Sequence, residues 1–229
     1  PIEIINKLSE IVCYKDLLIV YMSNKIFYKN TNKYNETKLK KIYFTPENTE
    51  QLKHYVDLWC KYKDYKDNFR CHISRWNTIN IDNMEKLFVF QKDFNDNIND
   101  WIVSNVTTME LMFYGCNKYN QPLDKWNIKN VENTDFMFTN CFIFNQNINS
   151  WNTCKIKTMR CMFHNTYNYN QPLDKWNIKK VTDVSYMFCN ARKFNQKIDN
   201  WSKIKEVSSM FKYCLELKLD NWNRKEAFI

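Results

Sequence analysis

The chain has 229 residues, a net charge of +9, 17% aromatic residues and a single glycine, Gly115. No apolar run reaches the roughly 18–20 residues that span a bilayer, and no signal-peptide pattern is visible. One glycine excludes a Gly-rich phosphate loop, and nine cysteines without a CxxC pair argue against a disulfide framework and for a reducing, cytoplasmic setting.

Residues 1–28 read PIEIINKLSEIVCYKDLLIVYMSNKIFY. Ile4, Ile5, Leu8, Ile11 and Val12 recur at helical spacing. Asp16 ahead of LLIVYM is a helix N-cap signal, and Asn24 opens a third helical stretch with Phe27 and Tyr28. The pattern alone predicts a small helical cap. The stretch also resembles the F-box, with a Pro-x-Glu-Ile start, an apolar helix, an Asp-Leu-Leu second helix and a Lys followed by an aromatic. Pro1, Glu3, Ile4, Asp16, Leu17, Leu18, Lys25 and Phe27 fall on those positions. The Leu that usually precedes the Pro is absent, and Phe27 stands where the family often has Trp. The resemblance implies that Pro1, Ile4, Ile5, Leu8, Leu17 and Leu18 anchor the Skp-type adaptor of a cullin–RING ubiquitin ligase. Residues 1–42 are assigned to this all-α, F-box-like region.

Residues 29–50, KNTNKYNETKLKKIYFTPENTE, are polar and charged, with a strand expected at Lys41–Thr45. Residues 51–75 carry Val56, Trp59, Phe69 and Ile73 at the inward positions of the repeat that follows. Residues 43–75 therefore read as a linker and a degenerate capping repeat.

From residue 76 to 229 the chain repeats. Trp76, Trp101, Trp126, Trp151, Trp176 and Trp201 keep a period of 25, and Trp222 closes a shorter interval. With Trp as phase 0, phases 5, 8, 12 and 15 hold Val106, Met109, Phe113 and Cys116 in one unit and Val181, Val184, Phe188 and Ala191 in another. Spacings of 3, 4 and 3 predict a two-turn helix, started by a capping box at Asp82/Glu85 and Thr107/Glu110. Phase 14, with Gly115, Asn140, Asn165 and Asn190, predicts a left-handed helix end. Phases 18, 20 and 22 alternate as Tyr119, Gln121 and Leu123 do, so a strand is expected over phases 21–24 with Pro122 and Pro172 at its first residue. Asn95, Asn120, Asn145, Asn170 and Asn195, all at phase 19, are expected to bond to the backbone of a neighbouring coil. A strand, a turn and a helix per unit give a β/α solenoid, with each Trp on its neighbour.

The stretch VTTMELMFYGCNKYNQPLDKWNI, residues 106–128, resembles the BspA-like, mycoplasma-type relatives of the leucine-rich repeats. The first unit departs from the pattern at Phe90, where Gly or Asn is expected. The resemblance implies a right-handed β/α superhelix used for protein contact, without catalytic residues. An F-box ahead of such repeats is a familiar substrate-receptor layout, and the Asn/Lys/Ile-rich composition is similar to that of large DNA viruses of amoebae. That similarity would place the protein in host cytoplasm.

Chemistry finds little foothold in the sequence. His164 lies three residues after Cys161, but a zinc site needs more ligands and a Cys–His nucleophile needs an orienting third group. No metal, cofactor or catalytic residue is expected. The positive charge is spread along the chain, and the aromatics fall on inward phases, which argues against nucleic-acid binding. Phase 23, beside an inward phase, predicts an outward row of Asn99, Asp124, Asn149, Asp174 and Asp199, with Lys125 and Lys175 next to it. These residues are the candidates for holding a protein substrate. The alternative is a plain repeat interaction or surface protein whose N-terminal helices are only a cap.

Overall fold

The computed structural model describes residues 44–61, 71–198, 201, 203–218 and 227–228. The F-box-like stretch, most of the strand expected at Lys41–Thr45, Phe69, Asp199 and Trp222 lie outside the described residues.

Where a degenerate repeat is expected, the chain forms helix α1, Thr49–Lys61. Its start is a variant of the capping box. Asn48 Oδ1 accepts from Gln51 N–H at 2.9 Å, and Gln51 Oε1 accepts from Glu47 N–H at 2.7 Å. Leu52, Val56 and Trp59 line the buried face. The helix closes the first coil: Thr49 Oγ1 donates to Asn83 O at 3.1 Å, and Trp59 Nε1 donates to Asp96 Oδ2 at 2.7 Å. The Trp59 ring meets Trp76 edge-on at 6.0 Å. Ile73, also expected on an inward phase, is buried on the 3-10 turn Ile73–Arg75.

From Trp76 onward, successive coils lie in parallel register, 25 residues apart up to Asp183 and 23 at the last step. Bridges run from Asn83 to Thr108, Asn133, Thr158, Asp183 and Glu206. Aromatic columns fill the interior. The rings of Phe88, Phe113, Phe138, Phe163, Phe188 and Phe211 stack at 5.4 to 5.7 Å. A second column runs Phe94, Tyr119, Phe144, Tyr169 and Phe194. Trp126, Trp151, Trp176 and Trp201 stack at 6.1 to 6.4 Å, as Trp76 and Trp101 do at 6.3 Å. The indole N–H groups of Trp101, Trp126, Trp151 and Trp176 each find a carbonyl 28 residues back, Trp151 with Leu123 O at 2.8 Å and Trp176 with Ile148 O at 3.1 Å.

The structure differs from the sequence reading in how the backbone satisfies itself. Phases 8–15 form consecutive turns in place of a two-turn helix. In the first coil the N–H groups of Met84, Lys86, Phe88 and Phe90 donate to Thr108, Glu110, Met112 and Tyr114 of the next coil, while Leu87, Val89 and Gln91 close local turns onto Met84, Lys86 and Phe88. An α-helix bonds within itself; this segment alternates between its own turn and its neighbour. Two left-handed residues per coil make that possible: Lys86, Leu111, Phe136, Cys161 and Tyr186 in one column and Phe90, Gly115, Asn140, Asn165 and Asn190 in the other. The turn cap is phase 7, one residue after the expected box. Asn83 Oδ1 accepts from Glu85 N–H at 2.7 Å, and Asn133 and Asp183 repeat the bond.

Phe90 occupies at φ 60° the place that Gly or Asn fills elsewhere, and its ring lies over Gly115. A Cβ on Gly115 would stand 2.9 Å from Phe90 Cδ1. The single glycine of the chain thus makes room for the aromatic of the coil before it.

Cys116 and Cys141 are buried in the stack and Cys214 is half-buried. They also donate, each thiol to the carbonyl of a stacked Phe (Phe88, Phe113 and Phe188) at 3.0, 3.0 and 2.8 Å. Thr166 takes the same place and donates to Phe138 O at 2.8 Å. All described cysteines are free thiols.

Candidate functional site

The segment 119–129 recurs unchanged at 169–179, and its surface residues sit on a corner of the coil. The expected strand over phases 21–24 is a β-turn here. Trp126 N–H bonds to Leu123 O, and Trp176 N–H to Leu173 O, both at 3.2 Å. Asp124–Lys125 and Asp174–Lys175 are the two middle residues of these turns, and all four are exposed. A buried Leu and a buried Trp flank each turn and fix where its tip points.

Asn99 and Asn149 are a correction to the expected outward row. Both are buried, at 7% and 8% exposure, and both hold up the turn of the next coil. Asn99 Nδ2 donates to Asp124 Oδ1 at 2.8 Å while its Oδ1 accepts from Lys125 N–H at 3.1 Å. Asn149 treats Asp174 and Lys175 the same way, at 2.8 and 3.1 Å. An amide can donate and accept at once, so Asn suits this alternate-coil role where Asp does not. Asp199 lies outside the described residues. The sequence signal for this arrangement was the alternation of Asn with Asp at one phase.

The Asn column at phase 19 behaves as expected, with one refinement. Its side-chain oxygens accept from the N–H of the next Asn, at 2.9 to 3.0 Å from Asn95 through Asn195. Gln146, Gln171 and Gln196 add a side-chain bond to the Asn one coil back. A polar hollow of about 420 Å³ opens beside this column, between Pro122 and Lys175.

Electrostatics distinguish the turns. Lys125 Nζ pairs with Asp100 Oδ1 at 2.7 Å, and that hydrogen bond holds the ammonium above its usual pKa. The Cys161–His164 pair weighed from the sequence lies elsewhere on the coil. Burial pushes the Cys161 thiol up to about 11 and lowers His164, so neither is poised as thiolate or imidazolium. Among the described residues no three of His, Cys, Asp and Glu gather to hold a metal ion, and no helix is long and apolar enough to cross a membrane.

Residues 60–166 and 125–224 match the family described as Mycoplasma protein of unknown function, DUF285. No curated protein and no solved structure matches the chain.

Proposed function

The chain belongs to the family described as Mycoplasma protein of unknown function, DUF285, and from that premise we propose that its coils are a non-catalytic scaffold that binds another protein. The matched region is the repeat array, in keeping with its likeness to BspA-like repeats. In this reading the coils form a solenoid, a right-handed relative of the leucine-rich repeats with turns in place of its helices. One observation carries the binding function. Each coil commits its inward rings and its Asn, Gln and Cys columns to stacking, while the exposed corner changes from Asp100 to Asp124–Lys125 to Ser150 to Asp174–Lys175 in a fixed frame. A rigid frame with variable side chains on one edge supports recognition of an extended partner.

The test is a photo-crosslinker at exposed Asn127 in the full chain, with captured proteins identified by mass spectrometry. Replacing Asp124, Lys125, Asp174 and Lys175 by Ser is expected to abolish capture while the chain still melts cooperatively, at a temperature lowered by the loss of the Asn99 and Asn149 bonds to the two carboxylates. Capture that survives the fourfold replacement would sink the reading.

A second reading is kept for the Pro1–Phe27 sequence likeness to the F-box, by which the scaffold would present its partner to a Skp-type adaptor and a ubiquitin ligase in the cytoplasm. Co-purification with such an adaptor, lost on Leu17→Asp with Leu18→Asp, is the expected result. No association with the intact chain removes it.

A further inference from the structure

The two Asp–Lys turns are identical in sequence and in their support, but they face different residues one coil back. Lys125 meets Asp100 at 2.7 Å. The residue in that place behind Lys175 is Ser150, whose Oγ donates to Asp124 O at 3.3 Å. Among the described residues no carboxylate forms an ion pair with Lys175. In front of it lies the hollow of about 420 Å³, lined by Pro122, Asp124, Gln146, Asn147, Ser150 and Lys175. The small residues Asn147 and Ser150 make the hollow, because they stand between two coils that each carry a Pro and a Lys.

We propose that this hollow is a subsite for an Asp or Glu side chain of a partner polypeptide, seated opposite Lys175 as Asp100 is seated opposite Lys125. The inference rests on the scaffold reading above. The lining fits an acidic side chain next to its own backbone. Lys175 and the Ser150 hydroxyl line the hollow, and the Pro122 ring offers an apolar wall for the stem. Asp124, anchored by Asn99, also lines it, and its carboxylate repels a second acid and accepts from a peptide N–H. An exposed ion pair adds little binding energy and mainly sets register and selectivity. The expected penalty for losing it is therefore about two- to fivefold in Kd.

The experiment selects phage-displayed dodecapeptides on the full chain and measures the synthesised winners by fluorescence anisotropy. Peptides dependent on an Asp or Glu are expected, weakened about two- to fivefold when that acid becomes Asn or Gln. Lys175→Ser and Ser150→Asp, which supplies the carboxylate internally, should weaken the parent peptide equally and abolish the acid-to-amide difference. Lys157→Ser, which breaks an exposed ion pair with Glu132 at another corner of the coil, should leave binding unchanged. Peptides that bind both variants as well as the parent chain would overturn the subsite and leave the scaffold standing. Failure of any peptide to enrich would count against both.

Discussion

Residues 119–129 and 169–179 are one sequence in two places, and they are twins on the inside only. Leu123, Trp126, Leu173 and Trp176 are buried among the same columns, and Asn99 and Asn149 prop the two turns with the same bonds. On the outside Lys125 has a carboxylate neighbour and Lys175 a hydroxyl. In a stack, a side chain's surroundings come from the coil before and the coil after, so identical segments acquire different surfaces.

The strongest test of inner equivalence is truncation of the stacked indoles. Trp126→Ala and Trp176→Ala should each cost roughly 3–5 kcal/mol in denaturant unfolding, with closely similar values. A large difference would break the comparison. Next in size are the props: Asn99→Ala and Asn149→Ala should each cost about 1–3 kcal/mol, because each removes a donor and an acceptor from a buried site. Unequal losses would mean that the turns are supported differently.

The third test has the opposite sign. Tyr119 and Tyr169 are buried with no partner for the hydroxyl, and Phe fills the same column in the coils between. Tyr119→Phe and Tyr169→Phe should hold or gain stability, by roughly 1 kcal/mol, and a clear loss in either would reveal a bond unique to that copy.

The smallest effect separates the copies. His164 precedes the second copy where Tyr114 precedes the first, and burial holds its pKa below 6.5. The unfolded chain then binds the proton more readily. This contribution is complete above pH 6.5 and is lost as pH falls through that value toward the folded pKa. His164→Gln should flatten the slope of melting temperature below pH 6.5, and an unchanged slope would assign it to other groups.

Much of this was legible in the sequence. The Trp period gave the register, and the apolar phases gave the buried columns. The two-turn helix was misread because spacings of 3 and 4 also describe a run of turns whose inward residues follow the same beat. The deciding fact is where the N–H groups go, and a column of Lys86, Leu111, Phe136, Cys161 and Tyr186 carries no sign that its φ is positive. Helix α1 was missed although Asn48, Gln51, Leu52, Val56 and Trp59 spell a capped amphipathic helix, because its apolar residues also fitted the repeat count. Asn99 and Asn149 read as surface for want of any sequence mark separating an exposed amide from one that props a turn.

The coil that begins at Trp101 donates backward from Thr107 to Asp82 and forward from Met109, Leu111, Phe113 and Gly115 to the coil after it. Array length is therefore a heritable quantity that changes in whole coils. Gain or loss of a complete unit brings in or removes donors and acceptors as matched sets, and the new junction is the same as every old one. A change of any other length has to be taken up in a corner, as the 23-residue step from Asp183 to Glu206 is taken up after Trp201. The repeated eleven residues record a step of fifty, which the stack could absorb without inventing an interface.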